Sequence, residues 1–235
     1  DGKFINKFLW RFPNLSKEQL ERLDTIILTS NDAKEICKYA KSRKEVSNVQ
    51  SFEDVLIALK SPYQIIDFAE NVTGVDIPKM QDAVIEIGNT GPMQDFAKRV
   101  EGCDDEKIKQ ALFEKQAASD IYFFFSDKLR KEKEVDMDDI SKAEDIIIAS
   151  GDTQVMRFWA SGIKYADIDK IQDIIIATKE PWDCLAFAKE VEGADISKLE
   201  DVVIESGDVD AMKQFVSKLE GANINKLTKA IKKHK

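Results

Sequence analysis

A repeat of about 28 residues runs through nearly the whole length of this chain, and it narrows the possible folds more than any other feature. The stretch from Gly193 to Asp208 matches that from Ala166 to Glu180: Asp167 maps to Asp195, Asp173 to Asp201 and Ile176 to Ile204, each shifted by 28. An aromatic carries the same register through Tyr39, Phe68, Phe96, Phe125, Phe158, Phe187 and Phe215, at steps of 29, 28, 29, 33, 29 and 28. Glycine recurs six residues after it at Gly74, Gly102, Gly193 and Gly221. A unit this small cannot hide its own apolar face, so tandem copies must stack on one another.

Each unit reads as two short helices. Ser197-Lys-Leu-Glu200 has the form of a capping box, which predicts that the first helix of that unit starts there. Ser141-Lys-Ala-Glu144, Ser16-Lys-Glu-Gln19 and Asp169-Lys-Ile-Gln172 repeat the pattern, and Pro78 stands where a proline opens a helix. Gly207-Asp208 and Gly151-Asp152 mark the joint to the second helix, the glycine ending one helix and the aspartate capping the next. Pro62 and Pro181 occupy the equivalent turn, and Pro92 lies slightly later. Ala211, Met212, Phe215, Val216 and Leu219 then form the inward face of a second helix. The expected fold is all-α: a right-handed α-solenoid of about seven two-helix repeats plus a terminal half-repeat. It is read as a single array over residues 1–235, with an N-terminal capping segment (1–13), front repeats (14–126), a charged insertion (127–140), and back repeats with a C-terminal cap (141–235).

This pattern resembles the α-solenoid superfamily, which includes tetratricopeptide, HEAT and pentatricopeptide arrays, over residues 14–231. The unit here is shorter, and signatures such as W-x-x-L-G and T-P-L-H-x-A are missing. The phrase Gly193-Ala-Asp-Ile-Ser-Lys-Leu-Glu-Asp is similar to tandem repeats of an uncharacterised bacterial or phage type. The resemblance implies a binding array and carries over no functional residue.

Composition removes most chemistry. The one histidine, His234, lies in the C-terminal tail, which excludes most histidine-based acid/base catalysis, Ser-His and Cys-His pairs and His-rich metal sites. Cys37, Cys103 and Cys184 stand 66 and 81 residues apart with no C-x-x-C pair, which reads as buried reduced thiols in the cytoplasm. Gly88-Asn-Thr-Gly91-Pro92 lacks a phosphate-loop frame. Asp82, Asp145, Asp173 and Asp201 recur in register and are read as residues near helix N-termini, serving cap and dipole chemistry. No apolar run approaches the roughly 20 residues a membrane span needs. No catalytic, cofactor or metal residue is therefore assigned, no cofactor is expected, and the chain is not read as an enzyme.

What remains is surface. Trp159 departs from the small residues found after the other aromatics, and Tyr122, Phe123, Phe124 and Phe125 run consecutively, so they cannot all face one core. Trp159, Trp182, Tyr122 and Phe123 are the candidate partner-binding residues. Net charge is −9, with lysines and arginines gathered at the two ends, which suits a protein partner with a basic surface. The expected function is a non-enzymatic protein-binding scaffold or adaptor. A nucleic-acid-binding repeat, or an acidic mimic of nucleic acid that blocks a DNA-binding protein, is the alternative; the lack of a regular basic stripe weighs against the former.

Overall fold

Helices of two to four turns, most of them begun by an aspartate, asparagine or serine cap, follow one another through the computed structural model, which describes residues 2–12, 15–43, 46–131 and 134–234. Among the described residues the chain is all-α, with sixteen helices and no strand. The helices gather into two compact units, Asp1–Lys115 and Gln116–Lys235. The first holds α1 (Gly2–Arg11), α2 (Lys17–Leu28), α3 (Ala33–Arg43), α4 (Val49–Ala58), α5 (Pro62–Asn71), α6 (Ile77–Ile87), α7 (Thr90–Arg99) and α8 (Asp105–Glu114). The second holds α9 (Ala118–Arg130), α10 (Met137–Ala149), α11 (Thr153–Gly162), α12 (Ile168–Thr178), α13 (Pro181–Glu190), α14 (Ile196–Ser206), α15 (Val209–Lys218) and α16 (Ile224–Lys233). The units part at Lys115 and Gln116, and within the expected 127–140 insertion residues 127–130 belong to α9 and 137–140 to α10.

Within each unit a helix packs on its successor and on the helix after that, which produces two layers. In the first unit α1, α3, α5 and α7 form one layer and α2, α4 and α6 the other; in the second, α9, α11, α13 and α15 face α12, α14 and α16. The large rings of one layer make the core. Tyr39, Phe68, Phe96, Phe125, Phe187 and Phe215 are buried in register, and Tyr39, Phe52 and Phe68 stack with centroids 6.1 Å apart at each step. In the fifth repeat the expected anchor is corrected: Trp159 is 0 % exposed and meets Phe125 edge-on at 5.7 Å, while Phe158 is only half-buried. Each such ring contributes roughly 2–3 kcal/mol by leaving water.

Among the described residues, seven joints share one conformation with positive φ at the residue before the next helix's cap, Gly151 (φ +70) among them. Gly88 and Gly207 adopt it at φ +89 and +74, yet Asn31, Lys60, Gln116 and Lys179 stand at the same register position with φ of 51, 49, 52 and 61. The joint geometry therefore holds even where a side chain makes it cost about 1 kcal/mol.

The helix starts also correct the sequence reading. Ser16 and Gln19 do form a capping box, each side chain bonded to the other's main-chain N–H. Later first helices begin at Asp136, Asp167 and Asp195 instead of Ser141, Asp169 and Ser197. A carboxylate can accept from two first-turn amides at once, and Asp195 does so from Ser197 N (3.0 Å) and Lys198 N (3.2 Å).

The earlier start releases Glu144, Gln172 and Glu200 from local capping, and each reaches forward to the next repeat within the same unit. Each buried side chain accepts the main-chain N–H of the residue 23 positions ahead: Glu144 from Asp167 (2.9 Å), Gln172 from Asp195 (2.7 Å) and Glu200 from Asn223 (2.6 Å). Asp24 with Ser47 (2.8 Å), Glu53 with Asp76 (2.8 Å) and Gln81 with Asp104 (2.8 Å) do the same in the first unit. The aspartate after the rung is correspondingly mid-helix and pairs with a lysine two helices on, in the first helix of the next repeat, as in Asp54–Lys79 (2.7 Å) and Asp145–Lys170 (2.7 Å), with Asp82–Lys107, Asp173–Lys198 and Asp201–Lys226 alike. Those aspartates are inter-helix ties, which replaces the helix-dipole reading. Register position 109 departs from the series: the buried side chain there is Lys109, paired with Glu106 at 2.6 Å.

Candidate functional site

The rungs account for most of the buried polar side chains, so function is sought on the surface. Trp159 is excluded from it: its ring is core, and its indole N–H donates to Glu144 at 3.1 Å. The corrected anchor also explains its size, since the ring fills the core and its nitrogen adds a second donor to a rung.

Tyr122 and Phe123 come together on α9, their centroids 5.2 Å apart, and Phe158 of α11 joins them by stacking on Tyr122 at 5.9 Å. Phe123 is 51 % exposed. Gly162 packs against the cluster, where a Cβ would lie 3.1 Å from the Tyr122 hydroxyl. Arg157 covers the other side of Phe158 at 5.6 Å and pairs with Glu190 at 2.8 Å, although its Nε is not aligned for a hydrogen bond. Trp182, at the start of α13, is 50 % exposed and its indole N–H donates to Asp208 at 3.0 Å, the residue that caps α15. Its ring is thus fixed in place while half of it faces water.

The first unit carries a different feature, a groove of about 510 Å³ between α3 and α5. From α3 come Lys34, Cys37, Lys38, Lys41 and Ser42, and from α5 Gln64 and Asp67. Lys34, Lys38 and Lys41 share one helical stripe at spacings of four and three residues. Asp67 is engaged by Lys41 (3.4 Å) and by Arg99 of α7 (2.5 Å). Burial alone would raise its carboxyl, but the Arg99 hydrogen bond and the Lys41 charge outweigh that and hold it below the usual carboxylate range. Cys37 forms the floor, and burial, with the Asp67 charge adding to it, pushes its thiol up to about 12, so it is an unreactive thiol. Cys184 is likewise buried, whereas Cys103 is only half-buried, which corrects the reading of all three as core thiols.

No family model, curated protein or solved structure matches this chain.

On α1, Gly2 and Ile5 face the neighbouring helices and Asn6 donates to both the Glu35 carbonyl (3.1 Å) and its carboxylate (2.6 Å). Its opposite side shows Phe4, Phe8 and Phe12 in a row, with Phe4 68 % exposed. The Trp10 side chain lies outside the described residues. Among the described residues no three His, Cys, Asp or Glu side chains converge as a metal-holding group, and no helix is long and apolar enough to cross a membrane.

The sequence reading missed the groove, although its lysines at 34, 38 and 41 are visible as a stripe; what it lacked was the partner wall supplied by α5. A spacing rule was available for Trp159: the residue 15 positions after each rung is the buried ring, and Glu144 points to 159 as Asp24 points to Tyr39.

Proposed function

We propose that this chain is a non-enzymatic protein-binding scaffold, built as a right-handed α-solenoid of about seven two-helix repeats and a closing half-repeat. The observation that carries the reading is the pair of half-exposed rings, Phe123 and Trp182, on the α9–α11–α13–α15 layer, where the other large rings in register are buried. Rigid aromatic side chains held by neighbours are the residues from which protein interfaces draw most of their affinity. Asp208 fixes Trp182, and Phe158 with Tyr122 backs Phe123.

Charge supports a basic partner. Between residues 134 and 218 there are nine Lys and Arg against twenty Asp and Glu. Such a field speeds encounter with a basic protein and repels nucleic acid. The reduced thiols fit work in the cytoplasm.

The test is affinity capture from the native host, purification of the recovered partner, and calorimetric titration against wild type and Phe123→Ala/Trp182→Ala. Binding that weakens about tenfold or more in the double variant, and that also weakens as salt rises, supports the reading. Equal affinity in the variant rejects those rings as the site, and salt-independent binding rejects the basic partner.

A further inference from the structure

We infer that the groove between α3 and α5 is a second docking site, of opposite sign, which takes an acidic polypeptide segment. It rests on the scaffold reading but uses residues in the other unit. Asp67 is matched by Lys41 and Arg99, and Arg99 also pairs with Glu70 at 2.5 Å, so the carboxylates at the wall are already engaged. Lys34 and Lys38 are exposed and have no carboxylate partner among the described residues, whereas Lys41 and five other lysines are tied to aspartates of another helix. Two uncompensated ammonium groups beside a concave surface are a site for carboxylates.

Geometry narrows the occupant. From Lys34 to Lys41 the stripe runs about 10 Å along α3. That length matches carboxylates spaced four and three residues apart on one helix, or three residues of extended chain. Gln64, on the facing wall, has no hydrogen-bond partner for its side-chain amide among the described residues and can both donate to and accept from a peptide backbone. A volume of about 510 Å³ accommodates several side chains. A polynucleotide fits less well, because its backbone would continue past Asp67 and Glu70 and into the field of a chain with net charge −9.

The probe is a fluorescently labelled synthetic peptide with glutamates spaced four and three apart, titrated with the full 235-residue chain and followed by anisotropy at low salt. We expect saturable binding that falls steeply with added salt and weakens about tenfold or more in Lys34→Glu/Lys38→Glu. The control is Lys189→Glu/Lys218→Glu in the second unit, which should bind as wild type. Both lysines of the test pair are exposed, and circular dichroism with a melting curve will show each variant folded. Equal peptide affinity in wild type and Lys34→Glu/Lys38→Glu overturns the proposal. So does a labelled oligothymidylate that binds more tightly than the peptide and is lost in the same variant, since the groove would then be a nucleic-acid site. Failure of the peptide alongside retention of the Phe123 and Trp182 partner would remove the groove and leave the scaffold standing.

Discussion

The indole nitrogen of Trp159 and the Glu144 carboxylate lie 3.1 Å apart, both fully or nearly fully buried, and the same carboxylate oxygen accepts the Asp167 main-chain N–H at 2.9 Å. One acid thus satisfies a core ring and the start of the next repeat. Trp159→Phe removes one donor and leaves the Asp167 bond, and should cost about 2 kcal/mol. Glu144→Ala strands both donors and should cost about 3–4 kcal/mol. Glu144→Gln should cost less than either, because Gln81 and Gln172 already serve as rungs. Urea unfolding curves will rank the three, and a Glu144→Ala no worse than Trp159→Phe would contradict the double role.

The glutamine rungs differ from one another. Gln81 both accepts from Asp104 and donates to its carbonyl at 2.7 Å, whereas the Gln172 amide nitrogen is buried without a partner. Where the rung is glutamate, its lysine reaches both acids: Lys79 lies 3.0 Å from Glu53 and 2.7 Å from Asp54, while among the described residues Lys198 pairs with Asp173 alone, at 3.8 Å. Gln172→Glu should therefore remove a stranded donor, recruit Lys198 and raise stability by about 1 kcal/mol. An unchanged or lowered unfolding midpoint would show that burying the charge outweighs the gain.

Lys60 and Lys179 hold positive φ where Gly88 and Gly207 stand in other repeats. Replacing either with glycine relieves steric strain and loses some unfolded-state restriction, for a net gain of roughly 0.5–1 kcal/mol. Thermal melts of Lys60→Gly and Lys179→Gly will read this directly, and destabilisation would mean that the lysine side chains contribute contacts of their own.

Alkaline pH should loosen the fold through its thiols. Burial raises Cys37 to about 12 and Cys184 to about 11, so both stay protonated when folded but ionise at about pH 8.5 once unfolded. Their contribution is complete below that pH and is lost as pH climbs towards the folded values, at about 1.4 kcal/mol per pH unit for each thiol. Urea midpoints measured from neutral to alkaline pH should fall less steeply in Cys37→Ala and Cys184→Ala. In the native protein a thiol reagent should modify Cys103 well before the other two.

How far the fold was readable depended on whether each signal was local. The aromatic register placed most anchors correctly because a buried ring must recur once per unit. It slipped at Phe158, where two adjacent aromatics and a lengthened step left the phase ambiguous. Ser197 and Asp195 are both competent caps two residues apart, and the choice between them is settled by Glu200, which bonds to Asn223 in the next repeat. Of the residues of the proposed surface, Tyr122 and Phe123 meet and Trp182 is exposed, but the Asp208 bond to the Trp182 nitrogen crosses 26 residues and has no local trace in the sequence.

The forward reach of each buried acid or amide makes array length a free variable. Since Gln172 and Glu200 occupy the same place in successive copies, excising the 28 residues from Gln172 to Leu199 would bring Glu200 directly after Ile171, ready to accept from Asn223 as before. Copies of the module can thus be gained or dropped whole with every junction still made, whereas losing any fraction of one leaves a hydrogen-bonding group stranded in the interior.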